Sequence, residues 1–156
     1  MKANIGIPEK NKQAVAVILN ILLADEHILY TKTRNYHWNY EGDNFMEMHK
    51  LYEGQYDQLA AIIDEVAERI RMLGHYPEGR LKDFIRITRL QEQEYTTDQT
   101  RQVKNLLADH ESIIMEIRKV ISEINDNWKD AGTADFITGL MEQHEKTAWM
   151  LRSYLK

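Results

Sequence analysis

A chain of 156 residues, 43% hydrophobic and 29% charged, is sized for one soluble domain spanning 1–156. With no cysteine it excludes disulfides, thiolate metal ligation and a cysteine nucleophile. Its formal net charge of −5 argues against a surface that grips nucleic acid throughout. The apolar residues form no run long enough to span a membrane and the start lacks a secretory signal, so a cytoplasmic protein with no membrane contact is expected.

After a short tail of about eight residues, Pro8 stands near a helix start, where its missing N–H costs nothing. From about Asn11, Val15, Ile18, Leu19, Leu22 and Leu29 recur at helical spacing as far as "HWN" at 37–39. "EGDN" (41–44) supplies a turn, with Asp43 or Asn44 to cap a second helix from Phe45 to Leu73, and Gly74 ends it in the left-handed conformation. The stretch 75–96 reads as a long connection, with "LKDFIRI" a small helix inside it. Thr97 is expected to cap a third helix carrying Val103, Leu106, Ile113, Ile117 and Ile124 on one stripe. "NDNWKDAG" breaks the pattern, and Thr133 is expected to cap a fourth helix with Ile137, Leu140, Ala148 and Leu151 inward. The fold class is therefore all-α: a ferritin-like four-helix bundle with a short extra helix in the long connection between helices 2 and 3.

The chemistry concentrates in the second helix. His49 and Glu53 are four residues apart, as are Asp64 and Glu68, so each pair shares a face. Each residue advances ~100° and ~1.5 Å, so the step from Glu53 to Asp64 rotates by only about 20° but spans ~16 Å. One helix cannot bring these groups to one ion. A twofold-related copy packed antiparallel can. The midpoint of Glu53 and Asp64 and that of His49 and Glu68 both fall between Gln58 and Leu59, so one axis superposes both clusters and creates two equivalent sites per dimer. Ala60 and Ala61 lie beside that axis, and His37 at the end of the first helix can add an imidazole. Two imidazoles with three carboxylates suit Fe(II), Zn(II) or Mn(II). Spacing alone leaves a solvated helix face as an equal alternative, since charged pairs at this interval are common.

The segment "KTRNYHWNYEGDNFMEMHKLYEGQYDQLAAIIDEVAERIRMLG" resembles the signature region of the Dps family, the mini-ferritins, and the resemblance continues through "TADFITGLMEQHEKTAWMLRSYL". His37, His49, Glu53, Asp64 and Glu68 match that family's ferroxidase ligands at every interval. Glu53 departs from the more usual Asp, which puts direct ligation of the second iron in doubt. No Glu here has His three residues later, as intrasubunit di-iron bundles require, which favours the intersubunit arrangement.

The resemblance implies an enzyme that oxidises Fe(II), preferably with hydrogen peroxide, at a two-iron site between subunits. It implies twofold dimers assembled into a dodecameric shell that stores ferric mineral and protects against oxidative stress. Zinc is the competing ion. Asp64 and Glu68 would come from one subunit, and His37, His49 and Glu53 from its partner. Trp38 would take up stray oxidising equivalents or pack at the interface. Asp126, Asp130 and Asp135 would line a threefold pore for iron, against the plainer readings of loop acids and, for Asp135, a helix-dipole partner. The alternative function is DNA compaction at the nucleoid through lysine-rich tails, but only Lys2, Lys10, Lys12 and Lys156 are available for it. His110 and His144, on apolar stripes, read as hydrogen-bonded core residues. His27 reads the same way, and His75 as a turn residue.

Overall fold

A computed structural model describes residues 3–155, so Lys2 and Lys156 lie outside the described residues. It contains helices α1 (Glu9–Asn39), α2 (Phe45–Met72), α3 (Leu81–Ile87), α4 (Gln99–Ser122) and α5 (Ala131–Ser153), with a π-helical turn at Glu123–Asn127. No strand occurs among the described residues. The four long helices form the bundle, with α1 packed mainly on α2 and α4 mainly on α5, while short α3 lies on α1 in the long connection. The core between them includes Leu19, Leu23 and Leu29 of α1, Met48, Leu59 and Ile70 of α2, Leu106, Ile113 and Ile117 of α4, and Leu151 of α5.

The helix ends follow from side-chain chemistry. Gly74 has φ 89°, its N–H donates to Arg71 O and that of His75 to Ile70 O, the paired bonds of a Schellman stop. Two starts differ from the sequence pattern, α4 beginning one residue later and α5 three residues earlier. Asp98, not Thr97, caps α4 by accepting from the Arg101 N–H at 2.8 Å. Asp130, not Thr133, caps α5, accepting from both the N–H (3.0 Å) and the hydroxyl (2.5 Å) of Thr133. In each case the carboxylate nearest the turn meets free N–H groups with more charge than a hydroxyl can offer.

By length and composition α1 is apolar enough to cross a membrane, contrary to the first reading of the sequence. Its packing accounts for that: it is a core helix, and its buried charges are matched inside the bundle. Asp25 accepts from the Thr88 hydroxyl (2.8 Å), the Arg89 N–H (2.7 Å) and the Arg89 guanidinium, pinning the return connection. Lys32 pairs with Asp109 and donates to Gln91 O at 2.7 Å. Lys12 is likewise no tail residue, since it is buried against Glu9 and donates to Ala3 O.

Candidate metal centre

The turn at 40–44 brings the end of α1 against the start of α2, and with it His37 against His49. Tyr40 and Asn44 bond to each other, and Asn44 donates to Gln99 at 3.0 Å, tying this corner to α4. The imidazole rings of His37 and His49 stack with centroids 3.7 Å apart. Each ring bonds through Nδ1 to the other residue's backbone carbonyl, at 2.8 Å from His37 and 3.0 Å from His49. A carbonyl can only accept, so both Nδ1 atoms donate, which leaves Nε2 as the atom each ring can turn to a metal. This reciprocal lock selects the tautomer that a metal-ligating histidine needs.

Glu53, Asp64 and Glu68 are exposed along the outer face of α2, which also presents Gly54, Ala60 and Ala61. Among the described residues none of the three carboxylates makes a side-chain hydrogen bond or ion pair within the protomer. The structure therefore joins His37 to His49, leaves Glu53 one turn further on, and keeps Asp64 about four turns and Glu68 about five turns from His49. No three histidine or carboxylate side chains converge on one point among the described residues. Two imidazoles and three carboxylates without an ion pair among the described residues form a donor set that fits ferrous iron or zinc, provided a second copy supplies the missing half.

Aromatic groups line this site, and the metal-ligand spacing gave no reason to expect them. Tyr56 meets the His37 ring edge-on at 5.2 Å, and Phe45 stacks on His49 at 5.0 Å. Burial, then Glu53 and Asp57, push the Tyr56 phenol above its ordinary value, which registers the negative field along this face. Their positions carried a signal: Phe45 lies one turn before His49, and Tyr56 three residues after Glu53. Trp38 is 60% exposed and stacks under the Arg34 guanidinium at 4.9 Å, while the same guanidinium sits 5.6 Å from Tyr56.

The three candidate pore acids differ. Asp126 in the π-helical turn and Asp135 in the first turns of α5 are exposed. Asp130 is only 2% exposed, with its oxygens engaged by Thr133 and by Arg69 at 3.1 Å. It departs from the expectation of a solvent-facing acid because capping α5 turns it inward. A side chain at Gly132 would place its Cβ 3.0 Å from the Arg69 guanidinium, so the absent side chain admits Arg69. His110 and His144 bond to each other in the core as read, and His75 faces Glu9. His27 departs from that reading: it is half-buried and packs by stacking on Phe84.

Comparison with known proteins agrees with this architecture. The profile of the ferritin-like domain matches residues 17–156. The chain is 42% identical to an uncharacterised low temperature-induced protein of Nostoc sp., over 99% of this chain and 87% of that protein. It is 37% identical to DNA protection during starvation protein 2 of Bacillus anthracis, over 93% and 98% of the two chains. The crystal structure of the Dps protein of Vibrio cholerae O1, described as a member of a broad superfamily of ferritin-like diiron-carboxylate proteins, superposes with a TM-score of 0.93 at 30% identity, covering 99% and 97% of the two chains. With bundle, connection and near-complete coverage all in agreement, the chain belongs to the Dps family of ferritin-like proteins.

Proposed function

We propose that this protein is a mini-ferritin that oxidises Fe(II) at an intersubunit site and keeps the ferric product in a hollow shell. The observation that carries this reading is the reciprocal lock of His37 and His49, which leaves two Nε2 atoms for a metal, with a face of α2 whose carboxylates have no ion pair among the described residues. Across a twofold axis near Gln58 and Leu59, Asp64 and Glu68 of a second copy meet His37, His49 and Glu53 of the first. Iron is the substrate. The imidazoles hold ferrous ions as neutral donors, and the carboxylates stabilise the higher charge of the ferric product. Two neighbouring ferrous ions supply the two electrons that take hydrogen peroxide to water, so no hydroxyl radical is released. Twofold dimers closing into a dodecamer give the storage space, in the cytoplasm. Exposed Asp126 and Asp135 draw cations to a pore, and Asp130 shapes the corner that holds them.

Stopped-flow oxidation of anaerobic Fe(II) by peroxide tests this, comparing wild type with His37→Ala plus Asp64→Ala. A rate loss of 100-fold or more at unchanged assembly is expected, and equal rates would remove the catalytic claim. A lysine-rich N-terminal arm for DNA binding is weakened among the described residues, because Lys12 is buried and Lys10 belongs to α1. A mobility shift at low salt checks that alternative.

A further inference from the structure

Away from the candidate metal centre, a chain of polar groups crosses the bundle core. Glu26 of α1 is 0% exposed and bonds through Oε1 to His144 Nε2 of α5 at 2.9 Å. His144 Nδ1 in turn lies 2.8 Å from Nδ1 of His110 on α4, and both rings are almost wholly buried. The far end is unsatisfied. Among the described residues His110 Nε2 has no hydrogen-bond partner, nor have Glu26 Oε2 and both amide atoms of buried Gln55 on α2. Gln55, His110 and His144 line one narrow void with Gln58, Leu59 and Gln143.

Proton counting limits what this chain can hold. Two facing Nδ1 atoms share one proton, since one must donate and the other accept. With Glu26 ionised, His144 donates to it, His110 donates to His144, and His110 Nε2 is a bare lone pair. Adding one proton at His110 Nε2 reverses every bond: His110 passes its Nδ1 proton to His144, and His144 passes its Nε2 proton to Glu26. The carboxyl is then neutral. The Gln55 amide, with donor and acceptor both uncommitted, suits either polarity by turning over. A further proton would leave an uncompensated positive charge in the core. Among the described residues no other charged group lines the void: α2 contributes only glutamines and apolar residues, α5 adds Gln143 and Thr147 beside His144, and Asp109 on α4 is committed to Lys32 of α1.

The geometry points to Glu26, His144 and His110 as a buried relay that holds at most one exchangeable proton and so makes the joint between the α1–α2 and α4–α5 pairs acid-sensitive. Burial, and after it His144, hold the His110 imidazole well below its ordinary value, in keeping with this limit. The sign follows from linkage. Below pH ~6.5 the unfolded chain protonates both histidines, while the folded relay takes up at most one proton, so stability is complete above that pH and falls as pH drops.

The test is urea unfolding at fixed protomer concentration from pH 7 to 5.5, for wild type, His110→Gln and the turn variant His75→Gln. Removing one excluded proton is expected to cut the rise in the unfolding constant over this range by about tenfold in His110→Gln, with His75→Gln following wild type. Parallel pH profiles for wild type and His110→Gln overturn the proposal. A second reading needs no variant: solid-state ¹⁵N spectra of histidine-labelled wild type. One protonated and one bare Nδ1 in this pair at pH 6 support the relay, and two imidazolium rings in the folded protein at that pH overturn it. Neither measurement uses iron oxidation, so the outcome is separable from the proposed ferroxidase activity.

Discussion

On the outer face of α2, Glu53, Asp64 and Glu68 stand exposed without an ion pair among the described residues of the protomer, on the helix whose His49 is locked with His37 through backbone carbonyls. In the bundle interior, Asp25, Glu26, Lys32 and Asp109 are also charged or titratable, yet each bonds to a group on another element. Both regions draw on the same residue types. What separates them is whether desolvation has been met inside one chain. An interior charge must find its partner within the fold or lose its ionised form, whereas a surface carboxylate stays hydrated until a second chain or an ion arrives. The interior set therefore holds the bundle, and the outer set is available for chemistry.

That contrast breaks most visibly at Lys32. Lys32→Met keeps the apolar stem but leaves Asp109 buried without its cation and frees Gln91 O, so a loss of about 3–5 kcal/mol in urea unfolding at pH 7 is expected. Burial already pushes the Asp109 carboxyl above its ordinary value, and Lys32 opposes that shift. Without the lysine the carboxyl protonates more readily, so the penalty should be smaller at pH 5 than at pH 7.

The next effect is at the corner before α5. Asp130→Ala removes the cap on Thr133 and the partner of Arg69 together, and a loss of about 2 kcal/mol is expected in thermal or urea melts. Asp130→Asn, which keeps the cap but not the charge, should recover part of it. If the alanine variant melts like wild type, Asp130 is a solvated acid after all.

The smallest stability effects belong to the outer face. Asp64→Asn and Glu68→Gln should shift unfolding by no more than about 0.5 kcal/mol at equal oligomer content, while ferrous oxidation by peroxide falls at least tenfold. A destabilisation as large as that of Lys32→Met would place these carboxylates in the structural set instead. Ala61→Arg sharpens the same point. A long charged side chain beside the proposed twofold axis should lower the assembled fraction in sedimentation velocity, with the helical circular dichroism unchanged.

Much of the fold was legible because helix periodicity and turn residues are local. The apolar stripe of Val103 to Ile124, the turn at 41–44 and the stop at Gly74 each involve groups within a few residues of one another. The two misplaced starts, at Asp98 and Asp130, show where that reading weakens. Each follows a turn where several capping side chains lie close together, and the geometry of the free N–H groups decides among them. The apolar length of α1 likewise could not separate a core helix from a spanning one until its buried charges had visible partners.

The sequence by itself determined the interval between His49, Glu53, Asp64 and Glu68, because on a helix rotation and rise follow from residue count alone. Only the tertiary structure decided that His37 and His49 hold each other's tautomer, that Asp130 turns inward while Asp126 and Asp135 stay outside, and that Glu26, His144 and His110 join across the core. Those relations connect residues as many as 118 positions apart, and they exist because helices packed side by side bring distant residues within hydrogen-bonding distance.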